Sequence, residues 1–429
     1  MQKFTAACFA LLFSLPAFSS FTDEVEEHIA RIKERMEVYK SDETLLQSVR
    51  LNWMEQYQMA AVQPCGGNAA PLKRGAGAFD HEFRRSWLCA DAQWRSGTHF
   101  SVIGRVGGLP HRYSYTADAA GGTHTRKDYS YADIFEIWVR QDIAPVKGLS
   151  VKLGKVSPLF STDYLTSASA LLCVERSLIG GPQHGLDSNW GVEVNYAPTQ
   201  RDTLFFQLLA NDRASDDKDK HHSDRYGDGC GEKGEFGWED KCFAVLGGQH
   251  RFAESEEGYQ AISAQYMHDF DNSYGNQRPR GANYYGANVK DALSVGHEWK
   301  RGALTLISNV IADFEMNNPA GSGNNNNLGW QLQPVYALTP HCDMVLRYTG
   351  MTGHDACKLG ADRYICRHTG ADKWVDSVHA LYMGVNLYAS ARDKHAAKLM
   401  LGAEYTHARN NGDTAYCGWE LTTALRWNF

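Results

Sequence analysis

The sequence predicts an all-β fold, namely a transmembrane antiparallel β-barrel of about sixteen strands with an inward-folded constriction loop and a short helix before the barrel. The last segment shows the pattern most clearly. Phe429, Trp427 and Leu425 share one face of an extended strand, while Asn428 and Arg426 take the other. Side chains of a strand alternate with period two, so this segment has one apolar and one polar face. A final strand rich in aromatic residues is typical of outer-membrane barrels.

Alternating segments fill the chain from Arg50 onward, and short and long connections between them take turns. The short connections carry turn-forming residues, for example Lys300-Arg301-Gly302 and Thr339-Pro340. An even number of strands would place both barrel ends on the periplasmic side. The predicted strands are 51–59, 83–95, 98–107, 131–142, 148–156, 188–197, 201–211, 241–253, 257–270, 289–300, 302–314, 328–338, 341–350, 375–390, 396–408 and 415–429.

The alternation assigns a face to each residue. Trp190, Val192 and Val194 would face lipid, with Glu193 and Asn195 turned inward. A charge on the lipid face near the midplane would cost about 2–4 kcal/mol, so the charged residues should point into the bore. A β-sandwich also alternates, but sixteen strands would need two or more sandwich domains, and the sequence shows no linkers between such domains.

Bulk composition is compatible with this fold. The 429 residues contain 21 Tyr, 18 Phe, 11 Trp and 40 Gly, which suits aromatic belts at membrane interfaces and strand bends. No apolar stretch of about 18 residues is present to cross a bilayer as a helix. Residues 1–20 read as a signal peptide, with a positive start, an apolar core over 4–18 and the small-x-small triplet Ala17-Phe18-Ser19.

Export to an oxidising compartment would let cysteines pair. The closest candidate pairs are Cys230 with Cys242 and Cys357 with Cys366, and nine cysteines in the mature chain leave at least one unpaired or bonded to another chain. Metal binding is the rival reading, but no CxxC or Cys/His spacing supports it. The acidic run 216–219 with the two histidines that follow lacks the ligand spacing of a calcium loop, so a solvated loop is expected there. We expect no metal and no cofactor.

A periplasmic helix is predicted within residues 21–47. This segment precedes the barrel domain, which we place at 48–429. Val25, Ile29, Ile32, Met36 and Tyr39 are spaced four, three, four and three, which is a heptad seam. Three copies brought together by a trimeric barrel could form a short coiled coil. The alternative is a single amphipathic helix lying against the barrel mouth, and the sequence leaves both open.

The connection after the fifth strand, Val156 to Asp187, differs from the other long loops. It is apolar at Leu159-Phe160 and over 168–173, so we expect it to fold into the lumen. Three segments of this region resemble the "GKxxxPFGxExLTS…xxxERS" pattern of the phosphate-selective porin O and P family. The chain departs from that pattern where Pro-Phe-Gly is expected. The segments are Val151-Lys152-Leu153-Gly154-Lys155-Val156-Ser157-Pro158-Leu159-Phe160, Tyr164-Leu165-Thr166-Ser167 and Val174-Glu175-Arg176-Ser177-Leu178.

The resemblance implies a trimeric outer-membrane channel for small anions, in which basic side chains form a path for phosphate. Guanidinium forks suit that role because they replace an oxyanion's lost water with paired hydrogen bonds. The formal net charge of -7 neither supports nor excludes anion passage. The predicted constriction residues are Lys152, Lys155, Glu175 and Arg176, carried over from the segment, with Arg105 and Arg140 added from inward parity alone.

These observations lead to an expected function. We expect an outer-membrane porin for passive diffusion of small hydrophilic solutes, with phosphate as the narrower candidate, embedded in outer-membrane lipid as a homotrimer and without a nucleic-acid partner. The alternative is a structural barrel that the N-terminal helix tethers to periplasmic partners or the cell wall. No G-x-S-x-G elbow is present, so we do not expect an enzyme.

Overall fold

The computed structural model describes residues 19–65, 79–107, 111–116, 123–128, 131–180, 188–210, 212–213, 242–255, 257–270, 284–285, 289–316, 325–359, 364–365, 369 and 374–429. The predicted signal peptide falls largely on residues 1–18, outside this set. Cys230 and Cys366 also lie outside it, so both predicted disulfides remain predictions.

Sixteen long antiparallel strands form the barrel in the described part of the chain, as the alternation predicted. Eight of them are longer than the predicted segments, and the largest extensions are in the first and the thirteenth strands. The sixteen strands are β1 Leu46–Pro64, β2 Phe79–Trp94, β3 Thr98–Gly107, β4 Tyr131–Asp142, β5 Leu149–Val156, β6 Asn189–Tyr196, β7 Asp202–Ala210, β8 Cys242–Ser255, β9 Gly258–Asp269, β10 Val289–Arg301, β11 Leu304–Met316, β12 Asn325–Thr339, β13 Cys342–Lys358, β14 Trp374–Tyr388, β15 Ala397–Asn410 and β16 Asp413–Asn428.

The barrel closes because the last strand pairs with the first. β16 runs antiparallel to β1 from Met54↔Asn428 to Pro64↔Gly418 without a register shift. Each of the other strands pairs with its neighbours in sequence. Trp53 exchanges two backbone hydrogen bonds with Phe429, at 2.8 and 2.9 Å, and these fix the end of the seam. We call the end of the barrel that carries Phe429 and the tight connections the short-turn end, and the opposite end the long-loop end.

The two faces of the wall differ as the alternation predicted. Large apolar side chains on the outer face are strongly exposed, among them Leu88 at 60% and Leu246 at 57%. The inner face carries polar residues that are nevertheless covered, such as Gln56 and Gln207 at 0%. Something inside the barrel therefore covers part of the inner wall, and the loop after β5 is the element that does so.

The predicted N-terminal helix is present as α1, Ser19–Arg35, and it lies against the barrel at the short-turn end. Glu26 accepts the backbone N–H of Ala391 at 2.9 Å and pairs with Arg392 at 3.2 Å. Lys33 forms an ion pair with Asp393 in the same turn, between β14 and β15. These contacts are those expected for a helix lying against the barrel mouth, and the coiled coil of three copies stays a prediction.

The heptad pattern extends further than the helix does. Ile29 is buried at 6%, and α1 ends before Met36. Tyr39 belongs instead to a short edge strand, Glu37–Lys40, which pairs antiparallel with the start of β1. The expectation that Met36 and Tyr39 continue a helical seam was therefore wrong, because the chain reverses to add a strand to the sheet.

Two small hairpin-like pairs accompany the barrel at the long-loop end. Strands His111–Thr116 and Thr123–Asp128 pair with each other, and Asp212–Arg213 pairs with Tyr284–Tyr285. Neither pair was predicted from the alternation pattern. Among the described helices, none combines the length and the apolar character needed to cross a bilayer.

Candidate functional site

The loop between β5 and β6 folds into the barrel, as its apolar composition predicted. Phe160 is 0% exposed, and Leu178 and Ile179 are 2% and 1% exposed. The loop is attached near its start by the backbone N–H of Leu159, which donates to the Gln207 side chain on β7 at 2.8 Å. We call the described part of this connection, residues 157–180, the constriction loop.

The loop closes on itself through a buried carboxylate. Asp163 lies in a one-turn helix, α2 (Ser161–Leu165), and accepts hydrogen bonds from the backbone N–H and the hydroxyl of Ser177, at 2.8 and 2.6 Å. Two residues that are distant along the loop are thereby held together. The loop is a folded insert and keeps a defined path through the bore.

Two glycines of the inner wall make room for this insert. A Cβ on Gly296 of β10 would lie 2.4 Å from a methyl carbon of Thr162, and a Cβ on Gly329 of β12 would lie 2.7 Å from a methyl carbon of Ile179. Real Cβ contacts are not that short, so any larger residue would displace the loop. Glycine is therefore required for the close approach of the loop to the wall.

Arg426 of β16 is the strongest attachment on the opposite side of the bore. Its guanidinium donates to the Gln56 side chain at 2.9 Å and to three loop carbonyls, those of Ala168 at 2.8 Å, Leu171 at 3.2 Å and Val174 at 3.1 Å. Arg426 is 0% exposed. Burying a charge is costly unless it is paired and hydrogen-bonded, and here the loop backbone supplies the acceptors.

Neighbouring strands repeat this use of a wall cation. Lys398 donates to the Leu171 carbonyl at 2.7 Å. Arg347 donates to the Glu175 carbonyl and to the Glu404 carboxylate, both at 2.9 Å. Lys398 and Arg347 are 1% and 3% exposed, so they serve to hold the loop and have little surface left for a passing solute.

The side chain of Glu175 turns to the other wall and meets a pair of arginines on β2. Arg84 and Arg85 contact its two carboxylate oxygens at 3.0 and 3.3 Å, and Gln58 donates to it at 3.1 Å. The arginine side chains keep 22% and 12% of their surface exposed. Unlike Arg426, these two cations remain partly accessible from the bore.

A β-bulge explains how consecutive arginines both reach inward. The pairing of β1 with β2 passes from Gln56↔Arg85 to Tyr57↔Phe83, which leaves Arg84 as the extra residue. A bulge re-aims one side chain and interrupts the alternation locally. Arg84 and Arg85 were not among the residues predicted from the sequence. The available signal was the doublet itself, because two adjacent charges in a barrel strand cannot both face inward without a bulge.

Arg176, which follows Glu175, adds a third guanidinium to this group. It donates to the Thr166 carbonyl at 3.2 Å and lies 5.0 Å from the centre of the Tyr164 ring. Both Arg84 and Arg176 act electrostatically on Arg85. Three guanidiniums thus share the neighbourhood of the Glu175 carboxylate, and we call Arg84, Arg85 and Arg176 the arginine cluster.

The remaining predicted residues lie apart from this cluster. Lys152 on β5 faces inward and pairs with Glu193 at 2.9 Å. Arg140 on β4 also faces inward, with its guanidinium 3.3 Å from Asp142. Arg105 on β3 lies 4.5 Å above the ring of Phe135. Of the six predicted residues, the structure brings together two pairs: Glu175 with Arg176 in the loop, and Arg140 with Lys152, which lie opposite each other in the pairing of β4 with β5.

The prediction that Lys155 lines the constriction is wrong, because this residue lies on the outer face. It pairs in register with Trp190 and shares the outer face of β5 with Leu153, which is 55% exposed. Its ammonium donates to the Ile134 carbonyl at 2.8 Å. Lys152 and Lys155 are three residues apart, so in a strand of period two they point to opposite faces. The pore-lining role expected for Lys155 is not compatible with this placement.

The chemistry available at the constriction is that of charge and hydrogen bonding. Within the described residues, His, Cys, Asp and Glu side chains form no group of three that could hold a metal ion. The predicted loop region at 216–222 lies outside those residues. The arginine cluster presents N–H donors and positive charge beside a narrowed bore, an arrangement that suits transient contact with anions.

Comparison with known proteins identifies the fold. No protein-family model and no curated protein sequence matches the chain. Among solved structures, OprB of Pseudomonas putida matches with a TM-score of 0.54 at 11% identity, covering 89% of this chain and 94% of that one. An OmpF of Salmonella typhi matches with 0.51 at 8% identity, over 89% and 98%. An anion-selective porin of Comamonas acidovorans matches with 0.50 at 10% identity, over 89% and 99%. The chain therefore has the sixteen-stranded fold of outer-membrane porins, at identities that show the fold alone.

Proposed function

We propose that this protein is an outer-membrane porin that lets small hydrophilic solutes diffuse passively and prefers anions. The preference rests on one observation, the arginine cluster beside Glu175 where the constriction loop meets β2. Selectivity in a pore is set where the bore is narrow, because charges act there on a partly dehydrated ion at close range.

The placement in a membrane is supported by the two faces of the barrel. The outer face exposes apolar side chains such as Leu204 at 55% and Leu293 at 46%, whereas charged residues such as Arg347 and Glu404 lie inside. Lipid would cover the outer face and water would fill what the loop leaves of the bore. The short-turn end with α1 would then face the periplasm.

The anion preference depends on which cations are accessible. Arg426, Lys398 and Arg347 are buried, and each donates to carbonyls of the loop backbone. Arg84 and Arg85 keep part of their surface exposed and share one carboxylate between them. Positive charge in a cleft with low-dielectric walls concentrates anions. Phosphate is the narrower hypothesis, because its oxygens match the guanidinium fork.

Planar-bilayer recording tests this proposal. The purified protein should give discrete conductance steps, and a KCl gradient should give a reversal potential of the sign for chloride preference. The double variant Arg84→Glu with Arg85→Glu should move the reversal potential toward cations. Arg251→Glu is the control, because Arg251 lies at the short-turn end of β8 and pairs with Glu254 away from the loop. Absence of conductance steps would refute the pore, and cation preference in the unaltered protein would refute the anion path.

The phosphate hypothesis has a separate readout. If the arginine cluster binds phosphate, phosphate added to one chamber at a submolar concentration should lower the current carried by chloride. The same titration on Arg176→Gln should require more phosphate. Equal block of both proteins would leave a general anion pore and remove phosphate as a preferred solute.

We also propose that the barrel assembles as a homotrimer in the outer membrane. The proposal rests on the resemblance of the segment around the constriction loop, which implies a trimer. Glu55 on the outer face is only 6% exposed because Ser86 and Trp53 of the same chain donate to it, at 3.0 and 3.1 Å, so this carboxylate needs no second copy to cover it. Native mass spectrometry in detergent should give three chains, and a monomer would contradict the assembly.

The alternative function, a structural barrel tethered through α1 to periplasmic partners or the cell wall, requires α1 to bind those partners. The hydrogen bond and ion pairs of Glu26 and Lys33 with the barrel's own turn support a helix that belongs to the barrel. Deletion of residues 22–40 should leave conductance intact. If it instead weakened the cell envelope while conductance persisted, a tethering role would be indicated.

A further inference from the structure

The seam between the first and last strands carries a pair of cysteines at the long-loop end. Cys65 directly follows β1, and Cys417 lies in β16. The register runs through Gln63↔Trp419 and Pro64↔Gly418, so the next pair in the same alignment is Cys65 with Cys417. The Cys65 N–H donates to the Cys417 carbonyl at 2.9 Å, which shows that the alignment continues.

The two thiols point to the same side of the wall. Residues directly opposite each other in an antiparallel pair project to one face, here the outer face that Trp419 occupies two residues further along. The Cys65 and Cys417 side chains therefore lie side by side on the outer face of the seam.

The spacing is suitable for a disulfide. Opposite residues that share backbone hydrogen bonds have Cα atoms about 5.5 Å apart. That value falls inside the range of roughly 4.4–6.8 Å found for disulfide-bonded cysteines. The pair also lies at the end of the ladder, where the strands can adjust most easily.

Other cysteines of the described residues have different surroundings. The Cys89 thiol contacts Asp91 at 3.3 Å and Ser101 at 3.7 Å, both along the inner wall. The Cys357 thiol is 3.3 Å from the Asp376 carbonyl and is fully buried. Cys65 and Cys417 are both partly exposed, so a thiol reagent or oxidant can reach them.

We propose that Cys65 and Cys417 form a disulfide that joins the first and last barrel strands. This inference rests on the proposed function, which places the chain outside the cytoplasmic membrane where thiols are oxidised. One cysteine thiolate attacks the disulfide of a thiol-oxidising protein and forms a mixed disulfide. The second cysteine then attacks that bond, the Cys65–Cys417 bond forms, and the oxidant leaves as a dithiol with the two electrons.

The position gives the crosslink a specific effect. Of the barrel's strand pairs, the seam joins the two strands that are most distant in sequence, so its closure costs the largest loss of chain entropy. A covalent bond there would keep the barrel closed when the hydrogen bonds of β1 with β16 open. It would also encircle most of the chain in a single covalent loop.

Peptide mapping of the full-length protein tests the crosslink. Membranes are treated with iodoacetamide before extraction in detergent, the barrel is purified without reductant, and the digest is analysed by mass spectrometry. We expect a crosslinked peptide that contains Cys65 and Cys417 and that disappears after reduction. Heat-denatured, unreduced protein should also migrate faster in a gel than reduced protein.

Matched variants separate this pair from other cysteines. Cys65→Ser and Cys417→Ser should each abolish the fast-migrating band, whereas Cys89→Ser should keep it. Full alkylation of both thiols in the folded barrel, even after incubation with oxidised glutathione, would overturn the proposal. So would a disulfide that joins either cysteine to a different partner.

Conductance recorded on the same preparation distinguishes the two hypotheses. A preparation that conducts but has both thiols alkylated refutes the crosslink and leaves the pore intact. A protein recovered in soluble form without detergent refutes the pore, and the thiol state is then judged from the peptide map alone.

Discussion

Replacement of Arg426 by methionine tests whether the constriction loop is held by wall cations. The guanidinium makes four hydrogen bonds of 2.8–3.2 Å, three of them to loop carbonyls, and no part of the residue is exposed. Methionine keeps much of the volume but supplies no donor. A hydrogen bond to a charged group contributes about 1.5–3 kcal/mol, so the free energies of the four bonds added together would be a large stabilisation of the loop.

The actual loss should be smaller than that sum. Once the loop leaves the wall, water can bind the released carbonyls. The groups left without a donor are neutral, and a buried polar group that loses its partner costs about 1–3 kcal/mol. A loss of this size raises the population of detached loop by about fivefold to about 150-fold. The variant should therefore show larger and noisier single-channel conductance than the unaltered protein.

Single-channel recording in planar bilayers measures this effect. Arg251→Met is the matched control, because Arg251 has an ion pair at the short-turn end and no contact with the loop. Cysteine accessibility at Ala168→Cys, measured with a charged thiol reagent, would report loop detachment independently. If Arg426→Met folds and its conductance and noise equal those of the control, the attachment described for Arg426 is not what fixes the loop.

Single contacts lead to three further predictions. Glu175→Gln removes the carboxylate inside the arginine cluster, so the reversal potential should shift further toward anions; an unchanged potential would separate the cluster from the ion path. Gly329→Ala places a Cβ against the loop and should cost about 1–3 kcal/mol of stability. The measurement is the temperature at which samples heated before electrophoresis lose the band of the folded barrel, and this temperature should be lower in the variant. The Ala391 N–H lowers the pKa of Glu26 below its ordinary 4.5, so docking of α1 should persist above that pH and weaken as the pH falls through the lowered pKa. Protease accessibility of α1 should rise over that acidic range, and Glu26→Gln should abolish the pH dependence.

Alternation alone predicted most of the fold, and the reason is local. Whether a residue such as Trp190 or Glu193 faces outward or inward depends on parity within one strand, so no tertiary information is needed. The inward loop was also predictable, because a long apolar connection between polar strand ends can bury its side chains in few places. The short edge strand Glu37–Lys40 was missed because four residues carry too little pattern.

The candidate site was predicted only in part. Lys152 and Lys155 were both carried over with the resemblance; the parity of Lys152 agrees with a place in the bore, whereas the parity of Lys155 places it outside. Arg84 and Arg85 escaped because a bulge breaks the rule by which faces are assigned. Arg426 was placed inward correctly, but no sequence pattern shows that it binds carbonyls more than 250 residues away.

Patterning along the chain was enough to predict the antiparallel barrel, its strand number, its two faces and the identity of the loop that enters it. Those properties depend on period-two alternation and on the lengths of connections, which can be read along the sequence. The folded barrel was needed to show which cations hold the loop, which cations remain accessible at Glu175, and which cysteines meet at the seam. These depend on contacts between residues that are distant in sequence, and they are fixed only when the last strand closes on the first.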